Sequence, residues 1–295
     1  MNQKENLYEI FELIDMELIE RQIPITLRFM NALLELSKSF DVKIPISMDD
    51  GGLPNNDFGN YLSRTLFDWY EAKYGDAQSY NADLGCFYHS IRGQLWHYRV
   101  PNFYGKSSFF ISRDLSDKGK INETNILRMS SNMTQFYIDG LSDDELLHIG
   151  SSFKIALDSY HILSSWVCED LPYSRSIRAD LDTVTAQLDM HRANYDQARW
   201  SYMQCAEKIL KAWLQKADVP EDRLKKIGHN IHKLINEFNK RYEVKLSVAN
   251  LDAINCSAGA RYDEEHFTSE DIILAQEWLF NLIKSIGFIP KLATI

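Results

Sequence analysis

Cysteine is scarce in this chain, and the few present stand apart. Cys86, Cys168, Cys205 and Cys256 make no Cys-x-x-Cys pair. That excludes a zinc ribbon or a thioredoxin-like motif and fits reduced thiols. No stretch approaches the ~20 uninterrupted apolar residues that a membrane-spanning helix needs, so no membrane partner is expected. The opening MNQKENLYEIFELIDME carries acids where a secretory leader has bases, and no small-residue cleavage site follows. A cytoplasmic location is the expectation, with the Asn-x-Thr sequons at Asn122 and Asn132 left idle. Internal repeats and low-complexity tracts are missing as well. Basic excess is lacking too: 32 Lys+Arg face 42 Asp+Glu, for a net charge of −10. The imbalance is one-sided. Residues 186–295 hold 15 of each sign, so residues 1–185, with 17 basic and 27 acidic side chains, hold the whole −10. An acidic half repels polyanions, which excludes generic duplex DNA as a partner.

What is present builds a core. Hydrophobic residues make up 45% of the 295 and aromatics 12%, and the length suggests about two domains of ~100–200 residues. Leu7, Ile10, Phe11 and Ile14 keep helical spacing, as do Leu27, Met30, Leu33, Leu34 and Leu36 after Pro24. Turn residues at 47–59 precede another helix at 61–75. QLWHYRV (94–100) and KSSFFIS (106–112) flank the turn-like PNFYG and predict a hairpin over 94–112. Ser142 and Glu145 form a capping box that opens a helix ending near Trp166. LPYSRS (171–176) reads as a linker. Beyond it, Ile177, Leu181, Val184, Leu188, Tyr195, Tyr202, Ile209 and Trp213 run without Gly or Pro until Pro220. That predicts one very long helix or two stacked end to end. A last helix begins at Thr268 with Asp271 as capping partner. The expected organisation is an α-rich domain over 1–170, a linker, a helical bundle over 177–290 and a tail at 291–295. The fold class is mostly α with a small β-hairpin.

Chemistry is sparse. KIGHNIHKLI (226–235) holds two histidines three positions apart. On a helical wheel Ile227, Ile231, Leu234, Ile235 and Phe238 share one face, which sends His229 and His232 outward. No carboxylate or cysteine stands at a matching local spacing and the His-Glu-x-x-His motif is absent, so neither a metal site nor any cofactor is expected. The stretch YHSIRGQLWHYRVPNFYGK (88–106) interleaves aromatic and basic residues. Such a pattern can stack bases, and it also describes a half-buried sheet face.

QCAEKILKA (204–212), a following loop, GHNIHKL (228–234), ARY (260–262) and the closing amphipathic helix together resemble the HEPN family. These are small helical bundles of prokaryotic toxins, defence proteins and some eukaryotic chaperone-like proteins. The family's first long helix carries a pattern similar to Gln-Ala-Ala-Glu-Lys-x-Leu-Lys-Ala, from which only Cys205 departs. His229, Ile231 and Leu234 match the way its next helix opens. The resemblance covers about residues 185–290. It implies a HEPN-like bundle at the C-terminal end that works as a homodimer in bacterial defence or toxin–antitoxin biology, with a nucleotidyltransferase-type antitoxin as a partner.

Active members of that family carry Arg, four to six residues, then His, and RYDEEH places Arg261 and His266 in that relation. By that resemblance Arg261 would hold a phosphoryl group while His266 relays the proton of a ribose hydroxyl, without metal. Tyr262 departs from the polar residue usual after the Arg, and Asp263, Glu264 and Glu265 between the pair oppose RNA. Three readings follow. The first is a non-catalytic module for a nucleotide or single-stranded RNA, with Lys208 and Lys211 toward a phosphate and His229 lining a groove. Glu207 is then structural, anchoring Arg261, and Tyr262 helps to close the bundle. The second is a metal-independent endoribonuclease using Arg261 and His266. The third is a protein-interaction module whose acidic half binds a basic partner.

Overall fold

The computed structural model describes residues 3–46, 52–78, 83–103, 106–120, 122–130, 132–262 and 264–287. The expected tail at 291–295, Asp263 of the RYDEEH motif, and Tyr104 and Gly105 of the expected turn lie outside them. The fold is mostly α with a small β-hairpin. Among the described residues no helix is long and apolar enough to cross a membrane. Two compact units divide the chain, Met1–Ala82 and Asp83–Ile295.

The first unit packs three helices, α1 (Gln3–Glu20), α2 (Ile25–Phe40) and α3 (Asp57–Tyr74). Its core is Leu7, Phe11, Leu18, Leu33, Leu36, Leu62, Leu66 and Tyr70, at the helical spacing of each segment. Asp15 falls on the same face of α1 and is wholly buried. It accepts from Tyr70 Oη at 3.0 Å, from Tyr74 Oη, and pairs with Lys73 Nζ at 3.0 Å. A buried carboxylate is tolerated when its lone pairs are filled in this way.

The second unit holds β1 (Gly85–Ile91), β2 (Gln94–Val100), β3 (Ser108–Phe110), β4 (Glu123–Asn125), a short α4 (Gln135–Asp139), and α5 (Asp143–Cys168), α6 (Ser174–Leu188), α7 (Tyr195–Lys216), α8 (Glu221–Ile227), α9 (Ile231–Arg241) and α10 (Ser269–Gly287). The hairpin pairs β1 with β2, Gly85 facing Val100 and Ile91 facing Gln94, and not 94–100 with 106–112 as expected. Its turn is Arg92–Gly93, with φ of 52° and 78°. Positive φ at both turn residues matches the right-handed twist of the strands. The strained arginine is held by Glu145, at 2.8 and 2.9 Å, and by the Gly140 carbonyl at 2.7 Å. β3 instead pairs in parallel with β4.

The capping box at Ser142 forms, Glu145 N donating to Ser142 Oγ at 3.2 Å and Ser142 N to Glu145 at 2.7 Å. The run 177–213 is neither one helix nor an end-to-end pair. It breaks at 189–194, where the Asn194 side chain caps α7 by accepting from Gln197 N at 3.0 Å. α7 then folds back alongside α6, with Lys208 reaching Asp180. Residues 171–176, expected to link two domains, lie inside the second unit. The reason is a shared core: Phe87, Tyr98, Phe153, Tyr160 and Trp166 pack in one cluster with Ile177, Tyr202, Ile209, Leu279 and Ile283. Gln276 on α10 reinforces the junction. It accepts from Tyr88 N at 2.7 Å and donates to Tyr88 O at 2.8 Å, like an added strand residue.

Candidate functional site

One face of α7 is polar at helical spacing: Gln197, Trp200, Ser201, Gln204, Glu207 and Lys211 follow at steps of one, three or four residues. With Asp180 and Thr183 of α6, His229 before α9, and Ala258 and Arg261 of the turn Ala258–Tyr262, the residues Gln197, Trp200, Ser201 and Gln204 of this face line a groove of about 490 Å³. Glu207, the next residue of that face after Gln204, is 4% exposed. It takes Lys211 Nζ at 2.5 Å, His229 Nδ1 at 2.6 Å and Gln204 Nε2 at 3.2 Å. The carboxylate thereby orients the imidazole, Nδ1 toward itself and Nε2 away.

Local sequence explains why His229 sits there. α8 ends at Ile227, and Gly228 follows at φ 66°, ψ −134°, a conformation that side chains with a Cβ essentially do not adopt. Asn230 then caps α9, its side chain accepting from Lys233 N at 2.9 Å. His229 is caught between the two, outside either helix and against α7. Ile231, Leu234, Ile235 and Phe238 are buried and His232 is exposed, the faces that the wheel predicts.

The groove's second wall is aromatic and cationic. The Arg261 guanidinium lies 5.6 Å from the Trp200 ring and 5.8 Å from the Tyr262 ring, within range of cation–π attraction. The His229 ring stands 6.2 Å from the Trp200 ring. Gln197 Nε2 donates to the Arg261 carbonyl and holds the turn. Trp200 therefore has Arg261 and His229 as neighbours in one groove.

The residues singled out from sequence fall into place unevenly. Arg261 and His229 line the groove, and His266 is not among its lining residues. The His266 side chain is 91% exposed, with Nδ1 4.0 Å from Asp196 Oδ2. Arg261 stacks on Trp200, whereas the pair expected with Glu207 is taken by Lys211 and His229. Tyr262, expected to close the bundle, is 67% exposed, and Ala260 is the buried member of that turn. Lys208 binds Asp180 at 2.7 Å and Lys211 binds Glu207, so both lysines are occupied by carboxylates. Burial pushes the Asp180 carboxyl up, and Lys208 opposes that shift. Among the described residues no group of three or more His, Cys, Asp or Glu could hold a metal ion.

Sequence reading missed Trp200, Gln197 and Arg199. Trp200 was traceable, since it falls one helical turn before Gln204 on the polar face. Arg199 is 2% exposed and lies away from the groove. It donates to the carbonyls of Asp271 at 2.7 Å, Asp252 at 2.5 Å and Asn255 at 3.4 Å, and its guanidinium packs 5.0 Å from Phe267. By tying the loop after α9 to the start of α10, it fixes the segment that presents Arg261. No family model, curated protein or solved structure matches the chain, so the groove's geometry stands beside the sequence resemblance as the ground for a functional reading.

Proposed function

We propose that the chain is a nucleotide- or RNA-related binding module of HEPN-like type, and that the groove along α7 receives the ligand. The observation that carries this reading is the grouping of Trp200, Arg261 and His229 around one groove. An indole face accepts any nucleobase by stacking, which is worth ~1–3 kcal/mol per base. A guanidinium beside it serves a phosphate with several donors in a plane, and His229, oriented by Glu207, adds a polar ring edge. The resemblance of residues 185–290 to HEPN bundles supports the same class of ligand. Because Lys208 and Lys211 are neutralised by Asp180 and Glu207, Arg261 takes over the phosphate role first assigned to them.

The module binds without cutting, as a homodimer. His266 is turned to solvent next to Asp196, which does not favour the Arg261/His266 endoribonuclease. The test is calorimetry against a panel of ribonucleoside mono-, di- and triphosphates and a short single-stranded RNA. At least one ligand should bind, with Trp200→Ala and Arg261→Ala each weakening it about tenfold or more. RNA should stay intact in EDTA. A flat response across the panel removes the binding reading, and cleavage lost in His266→Ala restores the ribonuclease.

A further inference from the structure

A second groove of about 730 Å³ lies between β2 and the turn joining α6 to α7, and shares no lining residue with the first. Its volume is that of small-molecule sites. Trp96, His97, Asp189, Met190 and Tyr195 are among its walls. Among the described lining residues there is one carboxylate and no lysine or arginine.

The carboxylate is held with unusual care for a side chain 43% exposed. Tyr88 Oη donates to Asp189 Oδ1 at 2.9 Å, and His97 Nδ1 lies 3.2 Å from Oδ2. The Tyr88 and His97 rings stack at 5.2 Å and 22°, which holds the two side chains against each other. Oδ1 is thus held by the Tyr88 hydroxyl and Oδ2 stands beside the imidazole, and the half-exposed carboxylate keeps free lone pairs. The groove therefore offers one oriented carboxylate beside aromatic rings.

We propose that this groove binds a small organic cation, a guanidinium or primary ammonium compound. Its N–H groups donate to Asp189, and its carbon body lies against Trp96 and Tyr195. Charge-assisted hydrogen bonds give the specificity, and the rings add cation–π attraction.

The indole N–H resonances of the six tryptophans report the test at pH 8, with the Trp96 signal identified through Trp96→Phe. n-Butylguanidinium is titrated to about 10 mM, and n-butylurea, its uncharged isostere, serves as the control. The Trp96 resonance should shift saturably with the cation and about tenfold more weakly, or not at all, with the urea. Asp189→Asn should weaken the cation by at least about tenfold, with the other five indole signals showing that the variant is folded. Should that variant unfold, the comparison of cation with urea decides alone. Absence of a saturable Trp96 shift, equal affinity for the urea, or unchanged affinity in folded Asp189→Asn overturns the proposal. None of these outcomes depends on the nucleotide groove.

Discussion

Arg199 occupies a position of α7 that its neighbours Tyr195, Tyr202, Ala206, Ile209 and Trp213 mark as an apolar stripe. A charged residue on such a stripe is a signal, readable in the sequence, that something polar waits across the interface. What waits is three backbone carbonyls of the 252–271 segment, and burial draws the arginine's pKa down from its ordinary value. Arg199→Met keeps the volume of the stem and removes every donor. The expected cost is about 3 kcal/mol in urea unfolding, since buried acceptors lose their partners. A loss under about 0.5 kcal/mol would mean that water or another donor replaces it. His229 is the opposite case. Its outward orientation follows from the pattern of Ile231, Leu234, Ile235 and Phe238. Its bond to Glu207, 22 positions away, follows from no local pattern, because only the packing of α9 against α7 sets that distance.

Elements with their own chemical punctuation were legible. Ser142/Glu145 and Thr268/Asp271 cap α5 and α10 as their spacing implies, because a cap is made within four residues. The hairpin was misplaced because Arg92–Gly93 lacks the Asn or Asp that usually marks its turn; the turn is held instead by Glu145, 53 residues on. Docking of that hairpin also carries a pH dependence. His89 on β1 lies 3.0 Å from Ser152 Oγ on α5, and burial, with His148 nearby, lowers its pKa from 6.5 to about 4. Between those values the unfolded chain takes up a proton that the folded chain refuses. This contribution is complete above pH 6.5 and is lost as pH falls toward 4. Urea midpoints measured across that window should decline more steeply for the native protein than for His89→Gln. Parallel curves would show that the imidazole is not the titrating group.

At the scale of the molecule, the two units have separate cores, one around Phe11, Leu36 and Leu66, the other running from Leu84 to Ile286. Residues 83–295 should therefore fold alone, giving cooperative thermal unfolding by circular dichroism. A fragment 177–295, cut at the linker expected from sequence, should not. It would leave bare the surfaces of α7 and α10 that Tyr88, Tyr160 and Trp166 cover, and each such side chain contributes ~1.5–3 kcal/mol by burial. Cooperative unfolding of 177–295 would restore the boundary at 171–176.

The residue pattern was enough to specify a helical chain, the inner face of most helices and the caps of α5 and α10, since all of these depend on neighbours within about one or two turns. Packing alone settled where the units divide, that α6 and α7 lie side by side, that Lys208 and Lys211 are spent on carboxylates, and that Arg261 meets Trp200 and not His266. Those outcomes join positions tens of residues apart. Local pattern constrains such distances weakly, and the burial of a common core fixes them.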